Sequence, residues 1–326
     1  MATRAFVTGA GGFIASHLVE ALLRRDWQVT ALVHYNSRAS WGWLETHHCK
    51  PPPNLKVVLG DITDPFLVRE ALDGCEIVFH LAALIAIPYS YNAPASYVQT
   101  NMAGTLNLAE AARKTGVKRF VHTSTSEVYG TVQYTPVDER HPLQGQSPYS
   151  ASKIAADKLI ESFVCSYGLP AVTVRPFNTY GPRQSARAVI PDIIAQALQG
   201  NSVQLGSLDP IRDMTFVSDT VEGFIRASEV DDVTGQVFNL GTGEAVSIRD
   251  LANAIFNLLG VSPALVTDPK RVRPSASEVQ KLVSNNSKAA KVLDWHPTVT
   301  LREGLSRTIE WVRDHPEQYY PGEYAV

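Results

Sequence analysis

The chain is short of cysteine, of charge of one sign and of long apolar runs. Its 326 residues include only three cysteines, Cys49, Cys75 and Cys165. This odd, scattered set argues against a disulfide framework and suits a reducing cytoplasm. The net charge is −3, with no basic run and no interleaving of basic and aromatic residues, which disfavours nucleic acid as a partner. We therefore expect a cytoplasmic protein that does not bind nucleic acid.

Membrane and metal signals are also weak. The longest apolar run, residues 77–87, contains His80 and is too short to span a bilayer. The sequence passes from Met1 to the apolar residues 5–7 without a charged leader, so we expect no signal peptide. Residues 47–49, His-His-Cys, precede three prolines in a polar turn and have no second ligand cluster, so no metal site is predicted.

The first segment with chemical content is a strand, a glycine turn and a helix. An apolar strand at residues 5–8 is followed by Gly9-Ala-Gly-Gly12-Phe13-Ile14-Ala15 and an amphipathic helix. Gly9 allows the tight turn, Gly12 lets the backbone approach a pyrophosphate at the helix N-terminus, and the small Ala15 permits close packing. This context predicts a dinucleotide site in a Rossmann-type, doubly wound parallel sheet.

The next strands carry the residues that would bind the adenosine half of the cofactor. The strand predicted at residues 27–33 ends at His34, without the acidic residue that binds the ribose of NAD. Arg38 could meet the 2′-phosphate of NADP or could be a surface charge, so the choice between NAD and NADP stays open. Past the strand at 55–59, Asp61, which precedes Ile62, could accept from adenine or cap the following helix.

Two further strands bring small and polar residues to the same edge. The strand at 77–81 leads into Ala82 and Ala83, whose small side chains would let a cofactor ribose pass. The strand at 119–123 runs into Ser124-Thr125-Ser126-Glu127. Ser124 and Glu127 fit a capping box, but the residues that follow offer no helix to cap. We therefore predict that Glu127 points into the ligand crevice.

Tyr149 and Lys153 are four residues apart at the start of a predicted helix and so share a face. A cation about 4 Å away at an effective dielectric near 20 is worth roughly 4 kcal/mol, or about three pKa units. The lysine would thus favour the tyrosine phenolate, making it a proton acceptor for a sugar hydroxyl. The alternative is an ordinary amphipathic helix start, with Tyr149 packed behind Pro148.

Well-separated arginines follow the strand predicted at residues 171–175. They are Arg183, Arg187, Arg212, Arg271 and Arg273. Arginine is favoured for bidentate recognition of phosphate, so these residues in a chain of negative net charge suggest a phosphorylated substrate. Scattered surface charge explains some of them.

Together these segments resemble the extended short-chain dehydrogenase/reductase family of nucleotide-sugar epimerases and dehydratases. The resemblance covers nearly the whole chain and rests on the glycine loop and on residues 60–61, 81–83, 124–130, 149–153, 175–178 and 212–213. It implies a dinucleotide-binding domain over 1–176, with a return segment at 214–246, and a nucleotide-sugar lobe over 177–326. It also implies a homodimer through a four-helix bundle made by helices near 95–114 and 149–167.

The resemblance implies NAD as cofactor and a nucleotide-diphosphate sugar as substrate. The implied cofactor-binding residues are Gly9, Gly12, Phe13, Ile14, His34, Arg38, Asp61, Ile62, Leu81, Ala82, Ala83, Asn101, Ser124, Tyr149, Lys153 and Pro176. The implied substrate-binding residues are Asn178, Arg187, Arg212 and Arg273.

Within this family, the residues after the fifth strand distinguish dehydratases from epimerases. Thr125-Ser126-Glu127 matches the Thr-Ser-Glu of GDP-mannose dehydratases, whereas 4-epimerases resemble Ser-Ser-Ala there. The resemblance implies a 4,6-dehydratase in which Tyr149 and Lys153 serve oxidation at C4, Thr125 bonds the 4-oxygen and Glu127 takes the C5 proton. The leaving 6-hydroxyl would be protonated by Glu127 itself or by a water held by Ser126.

Other segments narrow the expected substrate. Residues 41–44, 87–91 and 146–153 look closest to dehydratases of legionaminic-acid pathways, which act on nucleotide-linked N-acetylglucosamine. Three alternatives remain open: a 5,6-dehydratase, a 4-epimerase and a cofactor-binding sensor without turnover. The sequence does not decide between UDP and GDP.

Overall fold

The computed structural model describes residues 2–319, except the side chain of Ser275. Its strands are β1 (Arg4–Thr8), β2 (Gln28–His34), β3 (Leu55–Gly60), β4 (Ile77–His80), β5 (Arg119–Thr123), β6 (Ala171–Pro176), β7 (Asn178–Tyr180), β8 (Ser202–Leu205), β9 (Ile211–Arg212), β10 (Met214–Phe216), β11 (Val237–Leu240), β12 (Val246–Ser247), β13 (Ala264–Thr267) and β14 (Lys281–Leu282). Its α-helices are α1 (Phe13–Leu23), α2 (Pro65–Leu72), α3 (Ile87–Asn92), α4 (Pro94–Tyr97), α5 (Gly104–Thr115), α6 (Pro148–Tyr167), α7 (Val189–Gln199), α8 (Val217–Glu229), α9 (Ile248–Leu259), α10 (Ser287–Leu293) and α11 (Leu301–Asp314). Short 3₁₀ turns lie at Gly42–His47, Ser126–Tyr129, Pro269–Arg271, Ser275–Ser277 and Pro316–Gln318, and a π-helical turn lies at Val98–Ala103.

A seven-stranded parallel sheet forms the centre of the fold. Its order is β11-β6-β5-β4-β1-β2-β3. The order reverses between β1 and β4, and in open α/β sheets ligands bind at the carboxyl ends of the strands on either side of such a point. The predicted Rossmann-type, doubly wound sheet is therefore confirmed.

Apolar helix faces cover both sides of this sheet. On one side, Leu18 and Leu22 of α1 pack with Phe224 of α8 in a core that continues into the helices of the C-terminal half. On the other side, Leu108 of α5 and Ile160 of α6 pack in a second core. The β-strands are buried on both faces, as parallel strands between helix layers must be.

Four short strand pairings organise the C-terminal half. β8 pairs with β13, β7 with β10, and β9 with both β12 and β14. The chain returns to the main sheet at β11, which pairs with β6. The domain boundaries expected from the sequence stay a prediction. Among the described residues, no helix is long and apolar enough to cross a membrane.

Candidate active site

The loops after β1 and β4 meet at the switch point of the sheet. The Thr8 hydroxyl accepts from the backbone N–H groups of Leu81 and Ala82 (3.1 Å each). Gly9 has φ +70°, and a Cβ there would lie 2.9 Å from the Cα of Ala82. Both the left-handed turn and the close approach require glycine, so the predicted tight turn is present next to residues 81–83.

The N-terminus of α1 fits the pyrophosphate of a dinucleotide. Gly12 is the N-cap and carries no side-chain cap, and Phe13 and Ile14 begin the helix. The uncapped N–H groups and the helix dipole favour an anion at this position. Sequence reasoning missed the neighbouring 3₁₀ turn Gly42–His47, in which the Trp43 N–H donates to Gly11 O (3.0 Å) and so supports the loop from outside.

At the adenosine end, His34 and Asp61 lie together, with His34 Nδ1 3.5 Å from Asp61 Oδ2. Asp61 does not cap the next helix, because its Oδ1 accepts from Thr63 and the N-cap of α2 is Asp64. The Arg38 side chain is exposed. Ile62, the residue after Asp61, is buried.

Asn101 lies in the π-helical turn and is almost completely buried. Its side-chain oxygen accepts from Leu84 N (2.8 Å), and its amide donates to Leu84 O (2.9 Å) and to the Ser152 hydroxyl (3.0 Å). π-Turns occur often at functional sites. Asn101 thus fixes the segment after Ala83 against α6, the helix that carries Tyr149 and Lys153.

Tyr149 and Lys153 lie on the first turns of α6, which starts with a capping box between Ser147 and Ser150. Both side chains are buried, at 7% and 3% exposure. Burial raises the pKa of Tyr149, while a hydrogen bond with Thr125 opposes the rise. The net lowering of this pKa that was predicted from the spacing to Lys153 is therefore not found. The Lys153 ammonium donates to Thr123 O (2.6 Å), so in this state it is anchored to the end of β5.

Glu127 lies in the turn Ser126–Tyr129, which follows β5. The cap of that turn is Thr125, whose hydroxyl accepts from Glu127 N (3.2 Å). The alternative capping box is not formed, because the Ser124 hydroxyl donates to Asp157 (2.8 Å). Ser126 is buried. Burial lowers the pKa of Arg212 and raises that of Tyr149; the charge of Glu127 opposes the first shift and adds to the second.

The predicted phosphate-binding arginines fall into two groups. Arg212 donates to Glu278 (3.0 Å), and Arg273 lies 3.8 Å from the same carboxylate oxygen. Arg183 instead pairs with Glu20 of α1 (2.8 Å) and Arg271 with Asp192 of α7 (2.6 Å). Arg212 and Arg273 thus share the Glu278 carboxylate, whereas Arg183 and Arg271 join elements of the fold.

The remaining predicted residues border the same region. Pro176 ends β6, and the backbone N–H of Asn178 in β7 donates to Asp213 O (3.1 Å). Arg187 is exposed, and its charge opposes the rise that burial causes in the pKa of Tyr97. The Tyr97 ring packs edge-on against that of Tyr149, with 6.2 Å between the ring centroids.

Comparison with known proteins identifies the family of this chain. Residues 6–308 match the family model described as GDP-mannose 4,6 dehydratase. The chain is 36% identical to a UDP-glucose 4-epimerase of Mycolicibacterium smegmatis, covering 95% of this chain and 99% of the relative. It is 33% identical to a dTDP-glucose 4,6-dehydratase of Streptomyces antibioticus, covering 97% and 94%.

A solved structure shares the whole fold. The crystal structure of DesIV, a dTDP-glucose 4,6-dehydratase of Streptomyces venezuelae with NAD and TYD bound, superposes with a TM-score of 0.86 at 29% identity, covering 97% of this chain and 99% of DesIV. With the family match over residues 6–308, the chain belongs to the GDP-mannose 4,6 dehydratase family, nucleotide-sugar enzymes of the extended short-chain dehydrogenase/reductase type.

Proposed function

We propose that this chain is an NAD-dependent 4,6-dehydratase of a UDP- or GDP-linked N-acetylglucosamine, with a 4-keto-6-deoxy sugar as product. The observation that carries the proposal is the position of Glu127. A 4-epimerase needs a proton acceptor for the 4-hydroxyl, which Tyr149 supplies, but it needs no second base at C5. An elimination also needs a base for the C5 proton. Glu127, in the turn capped by Thr125 and with its charge acting on both Tyr149 and Arg212, supplies such a carboxylate.

NAD is the proposed cofactor, because the uncapped start of α1 and the close-packed Gly9 loop suit its pyrophosphate and DesIV was solved with NAD. When bound, its nicotinamide supplies the acceptor and later the donor of one hydride. Leu81, Ala82 and Ala83 would border its ribose. Because Arg38 could bind the 2′-phosphate of NADP, mass analysis of the released cofactor is the test between NAD and NADP.

The protein side chains supply proton transfer and orientation. Tyr149 takes the 4-hydroxyl proton while the Lys153 ammonium favours its phenolate form, and Thr125 bonds the 4-oxygen. The ketone at C4 acidifies the C5 hydrogen, so that Glu127, a weak base, can remove it. The 6-hydroxyl then leaves with a proton from Glu127 or from a water held by Ser126.

A substrate panel tests the proposed function. The purified protein is incubated separately with UDP- and GDP-linked N-acetylglucosamine and the corresponding glucose compounds, and products are identified by mass and NMR. Loss of one water with a new keto group supports the proposal. A product of unchanged mass with inverted C4 would identify an epimerase, a 5,6-alkene the alternative dehydration, and tight cofactor binding without any product a sensor.

Arg212 and Arg273 are the proposed pyrophosphate ligands, and the Glu278 carboxylate contacts both guanidinium groups. We expect R212Q to raise the KM for the nucleotide sugar about 10- to 100-fold with a smaller change in kcat, because a hydrogen bond to a charged group contributes roughly 1.5–3 kcal/mol. R302Q, at an exposed site on α11, is the control and should leave KM unchanged. A selective loss of kcat in R212Q would contradict a role in binding.

The proposed homodimer uses an apolar face on α5 and the turn before it. Val98, Met102 and Leu106 are 53%, 37% and 42% exposed, and their spacing of four residues puts them on one side of the helix. α5 packs beside α6, so two copies related by a two-fold axis would bring four helices together.

Charge on this face should separate the copies. We expect M102D to weaken dimerisation by on the order of 100-fold, because symmetry buries two unpaired carboxylates at once. Light scattering across a concentration series measures the mass. F66D, at an apolar side chain of α2 that is 83% exposed, is the matched control. An M102D protein that stays dimeric at low concentration would rule out this face.

A further inference from the structure

A buried carboxylate lies behind the reacting pair and has no part in the chemistry proposed so far. Asp157 is 6% exposed. Its Oδ1 accepts from His122 Nε2 (3.1 Å), and its Oδ2 accepts from the Ser124 hydroxyl (2.8 Å) and from Arg175 Nη2 (2.9 Å). A carboxylate with this many donors is stabilised in its charged form.

We propose that Asp157 is a positioning residue for oxidation at C4: its charge keeps the proton on Lys153, which in turn supports Tyr149 as the proton acceptor. The inference rests on one part of the proposed function, the oxidation at C4 that is its first step. It concerns the oxidation that a dehydratase and an epimerase have in common, and so it does not depend on elimination.

The helix places the two charges together. Asp157 follows Lys153 by one turn of α6, so the two side chains share a face. The ammonium is buried, and its hydrogen bond goes to a neutral carbonyl, Thr123 O (2.6 Å). Burial lowers the pKa of Lys153 to about 8, and Asp157 is the charge that opposes the fall.

The Asp157 carboxyl is ionised at neutral and alkaline pH. Burial would raise its pKa, but the hydrogen bond from His122 and the charge of Arg175 outweigh burial and lower that pKa to about 2. Its negative charge is therefore constant across neutral and alkaline pH, and Lys153 is the group that titrates.

Other ionisable groups surround Lys153 from the neighbouring elements. His80 of β4 and His122 of β5 are buried, and burial lowers the pKa of both, so they are neutral near pH 7. Arg175 of β6 is bonded to the Asp157 carboxylate. Glu127, from the turn after β5, acts on Tyr149. Asp157 is thus the anion whose charge acts on Lys153 directly.

The sign of the expected effect follows from this arrangement. Lys153 is protonated below its pKa, and activity should fall as pH rises through that value. Removing the negative charge of Asp157 lowers the pKa of Lys153 further, so the alkaline limb of the pH profile moves to lower pH. An opposite charge within about 4–6 Å shifts a pKa by about 1–3 units.

The test compares pH profiles of kcat and KM for the cofactor-loaded wild type and D157N. We expect the alkaline limb of D157N to move down by about one pH unit or more, with KM for the nucleotide sugar nearly unchanged. H122N removes one hydrogen bond but leaves the carboxylate charged, and it should retain the wild-type alkaline limb. An unmoved limb in D157N, or an equal loss at every pH, would overturn the inference.

A second variant and a direct measurement of the Lys153 pKa complete the test. If D157N fails to fold because Arg175 is left unpaired, the neutral pair D157N/R175Q is used; its shift should have the same direction but be smaller, because the positive charge of Arg175 is removed as well. The Cε resonance of isotopically labelled Lys153, assigned with K153R, is also titrated without substrate. It reports the Lys153 pKa even if no nucleotide sugar is oxidised, so failure of the proposed function and failure of this inference give different results.

Discussion

Y149F is expected to bind cofactor and nucleotide sugar but to lose kcat by roughly 10²–10⁴, the contribution typical of general acid–base catalysis. The ring would keep its packing against Tyr97, so the loss is confined to the hydroxyl. Steady-state rates and binding titrations measure the two quantities separately.

The matched control is Y134F. Tyr134 is 44% exposed, and its hydroxyl donates to Asp138 (2.7 Å) on the surface, so its removal should leave kcat within a factor of about two. If Y149F kept wild-type turnover, Tyr149 would not be the proton acceptor, and the common first step of dehydratase and epimerase would need another base.

E127Q is expected to separate oxidation at C4 from the elimination of water. The variant should still oxidise C4, because Tyr149 and Lys153 are intact, but elimination should slow by roughly 10²–10⁴ since an amide cannot take the C5 proton. In single turnover, the reduced-nicotinamide absorbance should rise and then persist. Exchange of the C5 hydrogen with solvent should disappear.

E161Q provides the control, because Glu161 is an exposed acid on α6 paired with Lys158 (2.6 Å). It should give wild-type rates for both steps. Wild-type elimination by E127Q would remove Glu127 from its role. Equal loss of oxidation and elimination would mean instead that the carboxylate orients the sugar.

Local patterns predicted the elements at the switch point well. The strand–glycine–helix order at residues 5–23 and the four-residue spacing of Tyr149 and Lys153 depend only on neighbours in the chain, and the structure has both. The same strand–glycine–helix context predicted the parallel sheet. Where two nearby residues could serve one purpose, the pattern was less selective: Asp64, not Asp61, caps α2.

Contacts between distant segments could not be read from the sequence. Glu20 and Arg183 are 163 residues apart in the sequence, and only the fold shows that Arg183 pairs with this glutamate of α1. The bonds of Asp157 to His122 and Arg175 likewise join α6 to β5 and β6. Buried polar networks of this kind are satisfied through tertiary structure, so their members look like ordinary surface charges in the sequence.

Isotope transfer tests the central claim most directly. The wild-type protein is given the nucleotide sugar that it consumes, deuterated at C4, and the product is analysed by NMR. The account predicts deuterium at C6, solvent hydrogen at C5 and a ketone at C4. Deuterium retained at an inverted C4, with no exchange at C5, would contradict it and identify an epimerase.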